Sequence, residues 1–392
     1  MNPIIDKRNH SRKTINTPIN YFIDGKRYKA SLVNLSQEGL MIETDNLAEL
    51  GKKIHFDLPI SEKEPTLEVR GIMVWRKDKT DEIKNLKVYN LGVKFIYLDS
   101  SSRLKIIEYL KEQEINDITI LTLDGIYANV AVGKLIKALH KKIKLICLSQ
   151  RFSKKRGSLL KQTLGSIKKS GLGFTIYLSY SLLFYNFFIH LVRIFNKLTF
   201  KKREIFTLRE LAQKYSIPIY VTDNINSKKS IEYLRNFNPD LIISAHFDQK
   251  INTNIINMPR YGCINLHYAL LPEFGGPFPS FWGLNEKRGT LGATIMYMNE
   301  NWDEGDIIQQ EVVKVDPCDS VLSVDCRILD LGADLIIKVI EKIETGTVVR
   351  FDQKTLGASS YYSIPTKKEV KELQKKGIKI MSLSHYFKQL NR

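Results

Sequence analysis

Between Tyr261 and Asp306 the chain reads as strand, turn and strand, and this stretch constrains the fold more than any other. An apolar alternation from Gly262 to Leu266 predicts a strand, and Asn265 and His267, two residues apart, fall on one face of it. Leu270-Leu271-Pro272 ends that strand, and Gly275-Gly276-Pro277 makes a turn that no helix can pass through. A second strand, Ala293 to Met298, runs into the polar turn Asn301-Trp302-Asp303-Glu304-Gly305-Asp306.

An amide, an imidazole and a carboxylate at two strand ends suit acyl-transfer chemistry. Asn265 and His267 can donate hydrogen bonds to a carbonyl oxygen that is becoming an oxyanion. Asp303 can hold the imidazole in its donating form or take a proton from an incoming amine. No Ser or Cys stands beside them as a nucleophile, so direct transfer to an external nucleophile is expected.

Asn265-x-His267, Leu271-Pro272, Gly276-Pro277 and Asp303-x-Gly305-Asp306, in this order, resemble the signature of folate-dependent formyltransferases. That family includes methionyl-tRNA, glycinamide ribonucleotide and sugar-nucleotide formyltransferases. The resemblance implies a formyl group moved from 10-formyltetrahydrofolate to an amine, with Asn265, His267 and Asp303 catalytic. It places Phe247, Leu271, Pro272, Gly276 and Asp306 in the folate and substrate pocket. Three positions depart from the family: Ala269 where Ser is usual, Gly275 where Arg is frequent, and Tyr268 where the residue is usually small. The first two remove polar groups from the site wall and bear on the identity of the substrate more than on the oxyanion chemistry.

At 392 residues the chain is long for one core, and two domains are expected. Residues 1–113 read as a β-rich unit with strands Ile19–Ile23, Tyr28–Val33, Leu40–Glu43, Lys53–Leu58, Leu67–Trp75 and Lys87–Tyr97. Six short strands predict a small barrel, followed by a helix from Ser100 to Glu114 capped by Ser and facing inward through Leu104, Ile107 and Leu110. Arg8 and Arg12 precede the first strand, and Asn34-Leu35-Ser36-Gln37-Glu38-Gly39 joins two strands. Together they match R-x-x-x-R and [DN]-x-S-x-x-G, and this unit resembles PilZ domains, which bind cyclic di-GMP. The resemblance implies Arg8, Arg12, Asn34, Ser36 and Gly39 as the nucleotide site. Guanidinium groups fork onto phosphate or onto guanine O6 and N7, Asn34 and Ser36 can bond a guanine edge, and Gly39 gives the turn conformational freedom.

Residues 114–366 read as an α/β domain. Ile118–Leu123, Lys144–Leu148, Ile219–Val221 and Leu241–Ala245 are apolar runs suited to a buried parallel sheet, alternating with helical segments. The start is Rossmann-like, but no G-x-G-x-x-G follows the first strand, so nothing supports NAD or FAD. His246 is expected in a loop rather than in catalysis. An insertion of about 153–205 interrupts the domain, and Gly171 to Val192 carries no charged side chain. Its length suffices for a bilayer, which takes about 20 residues. A single crossing would divide strands that should share one sheet, so two readings stay open. The segment packs on the domain or on a partner subunit, or it lies flat in a membrane interface. Residues 367–392 read as a basic, partly helical tail too short for the second domain of a tRNA-modifying relative, so tRNA ranks low as a substrate.

The net charge of +18 favours anionic partners. Cys147, Cys263, Cys318 and Cys326 form no C-x-x-C, so neither a structural metal nor an oxidising compartment is expected. The N-terminus is charged from its first residues and has no apolar segment of the signal-peptide kind, which predicts a cytoplasmic protein. The reading is therefore a cyclic di-GMP-regulated formyltransferase acting on an amine, with a sugar nucleotide or envelope precursor as the guess. Two alternatives stand beside it. One is a cyclic di-GMP receptor on an inactive formyltransferase-like scaffold. The other is a 10-formyltetrahydrofolate hydrolase.

Overall fold

The computed structural model describes residues 13–36, 38–46, 48–60, 66–81, 86–112, 114–150, 158–199 and 205–390. The chain divides into two compact units, one of residues up to 114 together with 341–348, the other of residues 115–340 and those from 349 on.

The first unit contains strands β1 (Lys13–Ile23), β2 (Lys26–Leu35), β3 (Gly39–Thr44), β4 (Lys53–Leu58), β5 (Leu67–Asp81) and β6 (Leu86–Tyr97), then helix α1 (Ser100–Glu112). Among the described residues the strands close into a barrel in the order β1-β2-β3-β6-β5-β4, with every pair antiparallel. Alternate side chains of β4, Ile54, Phe56 and Leu58, are buried, and they meet Tyr21, Leu35, Leu40 and Ile42 inside. Closure leaves no strand edge unpaired, and the period-two burial is what a small filled barrel requires. The buried phenol of Tyr21 is 3.1 Å from the Thr44 hydroxyl, so its polar end is satisfied.

Helix α1 corrects two expectations. Its cap is Asp99 rather than Ser100: the Asp99 carboxylate accepts from the Ser102 amide at 2.8 Å and from its hydroxyl at 2.7 Å. Its buried side chain is Ile106, with Tyr109 and Leu110 packed around it, while Leu104 is exposed.

The second unit begins with β7 (Ile118–Thr122), α2 (Ile126–Leu139) and β8 (Ile143–Ser149). Three insertion helices follow, α3 (Leu159–Ser170), α4 (Leu172–Leu182) and α5 (Tyr185–Leu198). Next come α6 (Leu208–Lys214), β9 (Ile219–Thr222), α7 (Lys228–Asn236), β10 (Leu241–Ala245), α8 (Thr253–Ile256) and β11 (Cys263–His267). After α9 (Pro279–Asn285) come β12 (Thr290–Tyr297), β13 (Ile307–Lys314) and α10 (Val321–Glu344), then α11 (Lys367–Lys375) and α12 (Leu383–Leu390). The described strands form one sheet in the order β13-β12-β11-β10-β7-β8-β9, parallel from β9 to β11 and antiparallel beyond. Every residue of β7 and β10 is buried, as an apolar strand covered on both faces should be.

The strand order reverses direction between β7 and β10. Chain growth runs outward from β7 to β8 and β9, then returns to the other side of β7 as β10. Ligands of open α/β sheets bind at such a switch point, beyond the carboxyl ends of the strands.

The insertion leaves the sheet after β8 and re-enters it at β9, and those two strands pair directly. Both strands therefore belong to one sheet, which a single membrane crossing between them would divide. Among the described residues no single helix is long and apolar enough to cross a membrane; α4 and α5 pass that test only as a pair bent by 65°. Three buried groups anchor the insertion. The Tyr127 hydroxyl of α2 lies 2.5 Å from that of Tyr177 on α4, and both reach the Asp325 carboxylate of α10, at 2.8 and 3.3 Å. Arg193 of α5 pairs with Glu210 of α6 and donates to the Ile205 carbonyl.

The segment from Lys367 onward is not a free tail. Val370 and Leu373 of α11 and Tyr386 and Leu390 of α12 are buried, and the Tyr386 hydroxyl donates to the Tyr180 carbonyl at 2.8 Å. Lysine-rich composition hid an apolar face spaced i, i+3 and i, i+4.

Candidate active site

At the switch point lies a cavity of about 540 Å³. Asn265, His267 and Asp303 all line it, as do Phe247 and Gly276. The sheet explains the convergence. β11 presents Asn265 and His267 to the cavity, and the turn before β13 brings Asp303 up beside them.

His267 is almost fully buried, with a backbone carbonyl on one side of its ring and a carboxylate on the other. Its Nε2 lies 3.1 Å from the Phe274 carbonyl, which only accepts, so Nε2 carries a hydrogen. Its Nδ1 lies 3.5 Å from Asp303 Oδ1. The other oxygen of Asp303 accepts from the Gly276 amide at 2.8 Å. Gly276 has φ +92°, and a Cβ built there would stand 2.1 Å from the Tyr362 carbonyl, so glycine is required twice over. The Gly275-Gly276-Pro277 turn thus acts through its backbone, as the amide that fixes the carboxylate facing His267.

Tyr361 also lines the cavity. Burial, and then the Asp303 carboxylate, hold its phenol above the ordinary value, so it stays a donor. His246 stands at the cavity with its ring edge-on to Tyr127, centroids 5.1 Å apart.

Three residues expected in the pocket stand outside its wall. Leu271 packs beneath it with Met296 and Ile307, and its backbone bonds Thr294 and Gln310. The Pro272 carbonyl accepts from the Ser360 amide. The Asp306 carbonyl accepts from the Tyr297 amide at the start of β13. All three shape the backbone that carries the site without facing the cavity.

Other wall residues escaped the sequence reading. Asp248 and Gln249 follow β10, and they join Ser149 at the end of β8 by hydrogen bonds of 2.5 and 2.8 Å. Their place just beyond a parallel strand was the available signal. Leu178, Ser181 and Leu182 of the insertion also line the cavity, and no local pattern marks them for that role.

In the barrel, Arg8 and Arg12 lie outside the described residues. Asn34 sits in β2 at a register shift, with its Nδ2 3.8 Å from the Met41 sulfur and its Oδ1 buried without a hydrogen bond. Ser36 is buried and donates to the Gly39 carbonyl at 2.9 Å. Gly39 is not needed for turn freedom, since it lies in β3 without a positive φ. It is needed for close approach, because a Cβ there would meet the Val93 carbonyl at 2.2 Å.

The PilZ domain model matches residues 6–112, and the formyl transferase model matches residues 201–340. The chain is a PilZ domain fused to a formyl transferase domain. Similar proteins include methionyl-tRNA formyltransferase of Halothermothrix orenii, 36% identical over 41% of this chain and 51% of the relative. That of Lachnospira eligens is 36% identical over 37% of this chain and 46% of the relative. The chain thus spans about half the length of the curated relatives it matches. Among solved structures, a sugar N-formyltransferase from Shewanella sp FDAARGOS_354 aligns at 18% identity and a TM-score of 0.40, over 63% of this chain and 76% of that one.

Proposed function

We propose that the formyl transferase domain moves a formyl group from 10-formyltetrahydrofolate, as donor substrate, to a primary amine. The observation that carries this reading is the meeting of Asn265, His267 and Asp303 on one cavity, with Asp303 held by the Gly276 amide and facing His267. A volume of about 540 Å³ is in the range of small-molecule sites, roughly 300–1,000 Å³.

The amine nitrogen attacks the formyl carbon, and the carbonyl oxygen becomes an oxyanion that Asn265 and His267 stabilise. The tie of His267 Nε2 to a backbone carbonyl orients the ring and leaves Nδ1, with Asp303, for the chemistry. Collapse breaks the bond between the formyl carbon and folate N10. Asp303, directly or through a water, takes the proton that leaves the amine, and N10 regains one. One N–H and one C–N bond are lost and one of each is formed, so no oxidant or metal is called for.

The PilZ domain supplies regulation in this proposal. Cyclic di-GMP binds at Arg8, Arg12, Asn34, Ser36 and Gly39 and gates the transfer. We place the protein in the cytoplasm at a membrane surface, and a tRNA acceptor ranks low.

The test is mass spectrometry for formylated amines in reactions of the purified full chain with 10-formyltetrahydrofolate, alongside calorimetry with folate and with cyclic di-GMP. His267→Ala should abolish turnover and leave cyclic di-GMP affinity intact. Equal turnover in that variant removes the catalytic assignment. Cyclic di-GMP binding without folate binding would make the chain a receptor on an inactive scaffold. Formate release with no acceptor would make it a hydrolase.

A further inference from the structure

The insertion helices face two ways. α4 gives Leu178, Ser181 and Leu182 to the cavity wall, yet Leu172 and Ile176 on the same helix, and Leu183 just beyond it, are exposed. Leu182 on the wall and Leu183 in solvent are adjacent in the chain, so the end of α4 serves both the cavity and the outer surface.

That outer surface is apolar and continuous. Exposed Phe184, Phe187 and Phe387 are linked through half-buried Tyr180 and Phe188, with ring centroids 5.0 to 6.2 Å apart. α5 adds exposed Leu191, Ile194, Phe195 and Leu198. Monomers in water rarely expose so large a contiguous apolar area unless it meets something.

Charge says what it meets. From Leu159 to Leu198 there is no Asp or Glu, whereas Lys161, Lys168, Lys169 and Lys197 are exposed around the apolar residues. α12 adds exposed Lys388 beside Phe387 and has no acidic residue. An apolar face whose own helices, α3 to α5 and α12, carry exposed cations and no carboxylate complements an anionic lipid surface. It does not complement a second copy of itself, since two such faces would bring like charges together.

We propose that this surface seats on an anionic bilayer and that the cavity takes its amine from an amphiphile held there, a long-chain lipid with a primary-amine head group. The substrate half rests on the formyl-transfer reading; the docking half does not. Leu178 and Leu182 then contact the first methylenes of the acceptor, and the amine reaches His267 and Asp303 from the lipid side.

The experiment uses the full chain and vesicles of phosphatidylglycerol carrying a photoreactive long-chain primary amine, with phosphatidylcholine vesicles for comparison. Sedimentation with the phosphatidylglycerol vesicles is expected. Lys168→Gln, Lys169→Gln and Lys197→Gln combined should weaken it about a hundredfold, at roughly fivefold per lysine. Phe184→Ser, Phe187→Ser and Phe387→Ser combined should weaken it at least about tenfold. Circular dichroism confirms that both variants are folded. Illumination should label Leu178, Leu182 or other cavity residues, and this readout does not depend on turnover. N-formylation of the lipid amine should exceed that of its short-chain soluble analogue by about tenfold or more.

Sedimentation equal to that with phosphatidylcholine, or self-association in place of it, overturns the docking half. Labelling confined to the outer surface, or equal formylation of the soluble amine, overturns the substrate half. Cavity labelling with no formylation of any amine upholds the docking and the entry of the lipid amine into the cavity, and sinks the transfer reading instead.

Discussion

Replacing Asp303 by Asn tests the site with the least disturbance to the fold. The Asp303 carboxylate accepts from the Gly276 amide at 2.8 Å, and an Asn carbonyl oxygen can keep that bond. The second oxygen, 3.5 Å from His267 Nδ1, becomes an NH2 group. It cannot take a proton from an amine; it can only donate to a bare Nδ1, while Nε2 keeps its hydrogen toward the Phe274 carbonyl. Stability should change by no more than a neutral hydrogen bond, about 0.5–1.5 kcal/mol. The rate loses a positioned proton acceptor, a factor of about 10²–10⁴. That corresponds to roughly 3–5.5 kcal/mol of barrier, at about 1.4 kcal/mol per decade. The assay is single-turnover formation of the N-formyl product, with donor affinity measured separately. Asp306→Asn, outside the cavity wall, is the control and should stay within about twofold of the parent chain, the ordinary range for a surface change of about 0.5 kcal/mol. If Asp303→Asn turned over within about threefold of the parent chain, a loss under about 1 kcal/mol, the proton-acceptor role would be refuted.

Three further outcomes follow from the same geometry. Gly276→Ala places a Cβ 2.1 Å from the Tyr362 carbonyl at φ +92°; it should destabilise the second unit by about 1–3 kcal/mol in denaturant titration and depress turnover with it. Burial pushes the Asp325 carboxyl up to about 6, above its unfolded value of 3.8, so the folded state holds a proton that the unfolded chain has lost. Stability should therefore fall as pH rises from about 4 to about 6, by on the order of 3 kcal/mol, and Asp325→Asn should flatten that slope in thermal melts. In the barrel, Gly39→Ala meets the Val93 carbonyl at 2.2 Å and should abolish cyclic di-GMP binding together with the β3–β6 pairing, seen as a lower melting temperature of the whole barrel.

The sheet strands were legible because buried parallel strands must be apolar throughout, and runs such as Ile118–Leu123 and Leu241–Ala245 have no other use in a chain of this kind. Barrel strands were legible from alternation and turn residues, within a few positions at each end. Helix α1 was found, but its face was not. Leu104, Ile107 and Leu110 and the true buried residue Ile106 all fit a helical period, and only the barrel's curvature selects between them. Its cap slipped by one residue because Asp and Ser serve equally well there. The triad was legible because two strand ends carry it. The cavity wall was not, because Leu178 and Leu182 reach it through the buried hydroxyl–carboxylate cluster of Tyr127, Tyr177 and Asp325. Those residues are 50 to 198 positions apart, and no local pattern encodes such a meeting.

The described non-glycine residues with positive φ number eight, and four of them, His246, Phe274, Phe278 and Asp303, stand at the cavity or bond a residue that does. Each such conformation is disfavoured, for phenylalanine by about 1 kcal/mol or more, and survives only where its surroundings leave no alternative. Here the surroundings are the sheet below and the aromatic stack of Phe274, Tyr362 and Trp282 beside it. Phe274 in this conformation offers the carbonyl that orients His267, and Asp303 in this conformation meets both the ring and the Gly276 amide. The framework thus holds the imidazole and carboxylate in place before any ligand arrives, which is what stabilising a short-lived oxyanion demands. The insertion takes no part in that preorganisation. It contributes alkyl side chains to one wall and an apolar surface outside, so that wall can change without disturbing the placement of Asn265, His267 and Asp303.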